Sequence, residues 1–426
     1  SFVERKIIKK GDKIGSGWWR DIKLVCGIKC GGVDPDYFNG IKFQGNEVSC
    51  DDVPDVINLF LKTISDGVPC LRPGRTECNN TCEVMCDAAF EPDISEIDVY
   101  QVLEHLKVSK ASLDSCLNNR MLKNMSVILA APICALINNS LRQGIVPSQW
   151  KIARIAPIPK STVVRDIEKD LRPISITCPI SKVAEVFVSR LYDEWYDDDV
   201  DICQFGATNG RSTTLALISL LHTLFEASDN CSNIIRILFV DFSRAFDLID
   251  HNIVKNKLES GNCPAMLSNW ILSFLDNRVQ YVKVGDNYSD KLVINAGVPQ
   301  GTRAGPNCFK LLIRDLSFHL PYSKYVDDVS VVSVSGDEAD CCMQHALDEL
   351  LSWCLVNGMH LNNTKTKEMV IIFGSRVKMD KCTSLISDGC VIDRVHEFKI
   401  LGVILSSDLT WTKHVKYIVS KASKRI

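Results

Sequence analysis

Charge of one sign is what this chain lacks first. Its 49 Lys and Arg stand against 52 Asp and Glu, a formal net charge of −3. That excludes a uniformly basic nucleic-acid coat and requires any phosphate-binding surface to be local. Long apolar runs are missing too. The longest, Met125 to Ile137, is interrupted by Pro132 and too short to span a bilayer, so no membrane segment is expected. There is no secretory signal, internal repeat or low-complexity tract, which sets aside secreted, solenoid and disordered classes. A disulfide framework is absent as well, because the 19 cysteines are odd in number and scattered; a reducing, intracellular compartment fits them better. Cys26 and Cys30, then Cys78, Cys82 and Cys86, recur at four-residue spacing, but the pattern matches no standard zinc finger and no His pair follows.

What is present is a chain of 426 residues, 46% hydrophobic and 24% charged, enough for a folded protein of more than one lobe. Basic surface is concentrated in two places. Residues 142–172 carry seven Lys or Arg against three acids, and residues 413–426 carry five with no acid. Between them Asp193 to Asp201 is an acidic run that nucleic acid should avoid, read here as a solvated loop.

Three carboxylates carry the chemistry. Ile234 to Val240 is a short apolar, β-branched run that reads as a buried strand ending at Asp241. Lys324 to Val334 reads as two β-rich arms with Asp327-Asp328 at the bend. Adjacent residues on a regular strand point to opposite faces, so a tight turn is needed for both carboxylates to reach one site. Like charges gathered in a fold repel unless neutralised, and hard divalent cations with oxygen ligands are the usual solution. An exposed Asp-Asp turn is the plainer alternative.

Elsewhere the periodicity predicts helices over 100–107, 121–143, Thr213 to Ala227 and Ala339 to Val356, the last stopped by Asn357-Gly358. It predicts a strand over Lys151 to Ile158 and a hairpin around Gly285-Asp286-Asn287. Residues 1–90 are weakly patterned, apart from a short amphipathic patch at Val56 to Ile64, and read as an N-terminal extension or connector. Strands interleaved with helices imply an α+β fold.

The order of motifs resembles the reverse transcriptases of non-LTR (LINE-type) retrotransposons over roughly residues 90–415. Trp150 to Lys160, Leu171-Arg172-Pro173-Ile174-Ser175, Ser181-Lys182, Gln204-Phe205-Gly206 and Gly210-Arg211-Ser212-Thr213 come first. Phe239 to Asp247, Gly297 to Thr302 with Gly305-Pro306, Tyr325-Val326-Asp327-Asp328, Leu361-Asn362 with Lys365-Thr366-Lys367, and Phe398 to Gly402 follow. The resemblance implies a right-hand polymerase fold, with fingers near 91–235, palm near 236–405 and a thumb beginning at 406–426. Since the chain starts at Ser1 and stops in a basic segment, it reads as a fragment with the thumb truncated.

The activity implied is RNA-directed DNA polymerisation, in which a primer 3′-hydroxyl is extended with dNTPs by two-metal nucleotidyl transfer. Asp241, Asp327 and Asp328 would hold two Mg²⁺ ions, with Mn²⁺ as the alternative. Lys365 would protonate the departing pyrophosphate. Lys160 and Arg172 would clamp the triphosphate, Phe242 and Phe246 would contact the incoming nucleotide, with Phe246 excluding a 2′-hydroxyl, and Gln300-Gly301 would approach the base pair. Core, strand-edge and turn roles are the alternatives for these residues. The implied partners are an RNA template, a DNA primer and dNTPs, and the implied compartment is the nucleus, for target-site priming. His251, after Asp250, is read as helix-start structure. The chain departs from the family's pattern at Ala207-Thr208, at Ser109 to Asp114 and at Arg314. The rival readings are a catalytically decayed RNA-binding relic of the same fold and another right-hand polymerase, such as an intron-encoded reverse transcriptase or a viral RNA polymerase.

Overall fold

Ile234–Val240 is buried at every position, as its unbroken apolar pattern predicts. In the computed structural model, which describes residues 38, 40–71, 94–113, 117–160, 164–196, 201–229, 234–335, 342–372 and 382–423, it is the central strand of a five-stranded sheet. Asp328–Ser335 and Lys367–Ile372 pair with it on either side, both antiparallel. Tyr322–Tyr325 and Asp393–Arg394 form the edges. The strand's period-2 alternation divides two cores: Leu238 and Val240 join one, and Ile235, Ile237 and Phe239 join the other. Helices His251–Ser260 and Cys342–Val356 contribute Val254, Leu258, Leu347 and Leu350 to the first. Helix Thr213–Asp229 closes the second through Leu220 and Leu224, so helices cover both faces of the sheet.

One residue breaks the apolar run. Arg236 is fully buried and donates through Nε to Glu368 Oε1 at 2.6 Å. Glu368, equally buried, takes Arg394 Nε on its other oxygen at 2.6 Å. A charge so deep in the fold is tolerated only because every partner is in place.

A second five-stranded sheet is built from Leu171–Thr177, Ile152–Pro159, Arg278–Val284, Asn287–Tyr288 and Leu292–Ile294. Its central junction, Ile152–Pro159 with Arg278–Val284, is parallel, so segments far apart in sequence share one sheet. Helix Val53–Asp66, with Phe38 and Ile41, packs on it around Ile155, Val282 and Val284. The described part of residues 1–90 is therefore a layer of this lobe rather than a loose connector.

The other predicted elements appear with shifted ends. The 100–107 helix is Glu96–Glu104, started by a Ser95/Asp98 capping box. The 121–143 helix is two helices, Asn119–Asn124 and Ser126–Gln143, and the second carries Pro132 within it. The hairpin turns at Gly285-Asp286, with Val284 opposite Asn287. The helix predicted from Ala339 is described as Cys342–Val356. Among the described residues no helix is long and apolar enough to cross a membrane. Cys26, Cys30, Cys78, Cys82, Cys86, Asp114, Asp197 to Val200 of the acidic run and the basic end 424–426 lie outside the described residues.

The acidic run is not simply solvated. Asp193 receives the buried Lys310 at 3.1 Å, and Asp201 receives the buried Lys324 at 2.6 Å. Local composition shows the charge; only the fold shows that lysines distant in sequence need it.

Candidate active site

Tyr325 and Asp328 face each other across a two-residue hairpin turn, Val326-Asp327. Val326 adopts φ 57°, a left-handed conformation that is strained for a β-branched residue. The turn is clamped from behind. Phe205 N donates to Lys324 O at 2.7 Å and Lys324 N to Cys203 O at 2.8 Å. Gln204 Oε1 accepts from Gly206 N at 2.8 Å and from Val326 N at 3.3 Å. A Cβ on Gly206 would lie 2.3 Å from Val326 N, so only glycine permits this approach. Gln204-Phe205-Gly206 thus supports the turn, and Lys324 locks its near strand by donating to Ile313 O and Leu316 O.

Val240 pairs with Val329, so the next step in register sets Asp241 beside Asp328 where the two strands leave the sheet. Asp241 and Asp328 line one groove of about 480 Å³ with Thr364, Lys365, Lys367 and Lys399. Asp241 is held through its backbone: its N–H donates to Thr366 Oγ1 at 3.2 Å and its carbonyl accepts from Asn362 N at 2.8 Å. Its Oδ2 is shut from solvent without a hydrogen bond, facing Lys365 Nζ at 3.5 Å. With that long ion pair and no hydrogen bond, the oxygen keeps lone-pair capacity that a metal cation would complete.

Electrostatics agree with the geometry. Protein crowding, then repulsion from Asp327 and Asp241, pushes the Asp328 carboxyl up to about 6, although the residue keeps a solvent-facing flank. Asp327 is also raised, by burial and then by Asp241, with Lys365 acting the other way. Three carboxylates that sense one another, one with an oxygen that makes no hydrogen bond, form the donor set a pair of hard divalent ions would complete.

The other predicted residues divide. Lys160 Nζ donates to Lys169 O at 2.6 Å; burial first, then repulsion from Lys365 and Arg172, lowers its pKa. Lys160, just past the end of strand Ile152–Pro159, thus senses the charges of both Arg172 and Lys365. Arg172 is exposed on its strand. Phe246 is half-buried, its ring stacked on Phe309 at 5.0 Å. Gln300 O accepts from Ser175 N at 2.8 Å, and Gly301, at φ 102°, lies against Ser175 O and Ile174, which ties this turn to the second sheet. Phe242 requires correction. It is 6% exposed and packs toward Trp353 at 6.1 Å, so its ring belongs to the core and offers no surface to a nucleotide.

Two acids escaped the sequence reading. Asp247 is half-buried, its carboxyl raised by the surrounding protein against the pull of Gln300, whose Nε2 donates to Oδ1 at 2.9 Å. Glu185 is buried in helix Pro179–Tyr196, and its Oε2 accepts from Arg303 N at 2.7 Å, capping helix Ala304–Leu312. Each is a charged residue inside an apolar pattern, the one signal that could have flagged it. His251 proves structural: it is 1% exposed, with Nε2 2.7 Å from Gly297 O, and burial lowers its pKa. Arg314, at a departure from the pattern, lies over Trp195 and Tyr196 at 6.0 and 5.8 Å.

A sheet that presents three mutually sensing carboxylates at one end, with Lys365 beside them, is the arrangement of a polymerase palm. Residues 158–405 match the reverse transcriptase (RNA-dependent DNA polymerase) family, and the chain belongs to it. The chain is similar to the probable RNA-directed DNA polymerase from transposon BS of Drosophila melanogaster, 26% identical over 343 residues, covering 77% of this chain and 37% of that protein. It is similar to the RNA-directed DNA polymerase from mobile element jockey of the same organism, 25% identical, with 75% and 36% covered. The retrovirus-related Pol polyprotein from type-1 retrotransposable element R1 of Bradysia coprophila is 23% identical, with 95% and 39% covered. The chain therefore spans 36–39% of the length of these curated relatives.

Proposed function

We propose that this chain is the RNA-directed DNA polymerase region of a non-LTR retrotransposon protein, extending a primer 3′-hydroxyl with dNTPs on an RNA template. The observation that carries the reading is the register of Val240 with Val329, which brings Asp241 beside the Asp327-Asp328 turn, where its Oδ2 makes no hydrogen bond and meets Lys365 Nζ at 3.5 Å. Along the chain we assign an N-terminal extension to 1–90, fingers to 91–235, palm to 236–405 and the start of a thumb to residues from 406, a stretch that includes helix Thr412–Ser423. The template, the DNA primer and a nuclear site of priming belong to the same proposal.

Asp241, Asp327 and Asp328 would hold two Mg²⁺ ions, or Mn²⁺. When bound, such a pair makes the 3′-hydroxyl a stronger nucleophile and offsets the charge of the leaving pyrophosphate. The chain's own groups do the rest. Lys365, 65% exposed beside Asp241, can deliver a proton to the leaving phosphate. Lys160 and Arg172 present cations to the triphosphate. The open edge of Phe246 can exclude a 2′-hydroxyl, and the Gln300–Gly301 backbone can lie close to the nascent pair. The intact carboxylate set favours an enzyme over a decayed relic. The test is primer extension on a homopolymer RNA with and without Mg²⁺, with Asp241→Asn as control. Mg²⁺-dependent dNTP incorporation lost in the variant supports the proposal; no incorporation by the unaltered chain while it still binds RNA supports the relic.

A further inference from the structure

Helix Cys342–Val356 turns one flank toward the loop that precedes strand Tyr322–Tyr325. His345, Glu349 and Trp353 recur every fourth residue on that flank, one helical turn apart. Facing them, the loop offers Asp315 and His319. Trp353 Nε1 donates to Asp315 Oδ1 at 2.9 Å, which fastens one end of the pairing. At the other end His319 Nδ1 lies 2.9 Å from Glu349 Oε2, and His345 Nε2 lies 3.5 Å from Glu349 Oε1. The imidazole rings are 4.9 Å apart, and one donor atom from each of the three residues falls within 4.8 Å of the others.

Two imidazole nitrogens and a carboxylate oxygen, drawn from two separate elements, are the donor set that borderline ions such as Zn²⁺ prefer. It differs in kind from the all-oxygen donor set of Asp241, Asp327 and Asp328, which suits hard ions. His345 is 68% and His319 36% exposed, so an ion can enter and water can complete its coordination. We propose that His319, His345 and Glu349 form a second metal site, for a transition ion of the Zn²⁺ class, that staples helix Cys342–Val356 to the loop before Tyr322–Tyr325. His319 lies beyond the end of that strand opposite the Val326-Asp327 turn, so the staple supports the catalytic hairpin from its far end without reaching the reacting atoms. Both histidines bind as neutral imidazoles, and binding releases any proton they carry.

The experiment uses the full chain with Mg²⁺ in large excess, to keep the Asp241 groove filled. Co²⁺ is titrated by its visible absorption, then competed with Zn²⁺, and the thermal midpoint is followed with Zn²⁺ alone. The expected result is one saturable Co²⁺ without a thiolate charge-transfer band, displaced by Zn²⁺, with a raised midpoint. His319→Gln, His345→Gln and Glu349→Gln should each weaken binding at least about tenfold and leave primer extension unchanged. His345 is exposed enough that replacing it does not disturb the core, so loss of binding there reads on the site itself. No saturable binding, a thiolate band, or binding that survives all three variants would overturn the proposal, the last two by placing the ion on cysteines or in the carboxylate groove.

Discussion

Asp328→Asn should stabilise the metal-free protein while abolishing catalysis. In the folded state crowding and the neighbouring carboxylates hold the Asp328 carboxyl near about 6, against roughly 3.9 in an unfolded chain. Between those values the folded state keeps a proton that the unfolded state has lost, so stability falls as pH rises from about 4 to about 6 and stays low above that. A shift of about two units corresponds to at most ~3 kcal/mol. Because Asp328 keeps a solvent-facing flank, screening reduces this to about 1 kcal/mol. Asparagine removes the charge and hence the penalty. Urea unfolding in EDTA should therefore show the variant about 1 kcal/mol more stable than wild type at pH 7.5 and equal to it near pH 4. Adding Mg²⁺ should reverse the order: at tenfold over its Kd a bound ion stabilises wild type by about 1.4 kcal/mol, and the variant should gain much less. A variant less stable than wild type in EDTA at pH 7.5, or a difference that does not change with pH, would refute the electrostatic reasoning.

Gly206→Ala should displace the Val326-Asp327 turn, since its Cβ would strike Val326 N; primer extension should fall by at least about tenfold, given the sensitivity of catalysis to misplacement, with retained RNA binding showing that the loss is local. Phe246→Ala should raise ribonucleotide incorporation while deoxynucleotide extension stays measurable, and unchanged sugar discrimination would return the ring to a purely core role beside Phe309. Arg236→Met should cost about 3 kcal/mol or more in urea unfolding, because Glu368 is left buried with Arg394 alone. Lys160→Ala should weaken RNA–DNA duplex binding and reduce its salt slope by roughly 0.7–0.9; an unchanged slope would take the template off the second sheet.

Much of this site was legible in the chain. An apolar β-branched run closing on Asp241 reads as a buried strand with its carboxylate at the end, and an Asp pair between two β-rich arms calls for a turn. Those are local facts, governed by side-chain period and turn geometry, and the ordered motifs joined them to one family. The helix starting at Glu96 could also have been read from its Ser95/Asp98 box.

Other features have no local signature because their causes lie far away in sequence. Arg236 reads as a flaw in an apolar strand until Glu368 and Arg394 arrive from other strands. Asp193 and Asp201 read as solvated charge until Lys310 and Lys324 are buried against them. Gln204-Phe205-Gly206 reads only as one motif in the family's order, yet its backbone and the Gln204 side chain hold the Val326-Asp327 turn. By itself the sequence determined the strands, their terminal acids and the family, since periodicity and motif order are properties of neighbouring residues. Only the tertiary structure decided which charges are paired, that Phe242 faces the core and that His319 meets His345 and Glu349, because burial and partnership depend on which distant segments pack together.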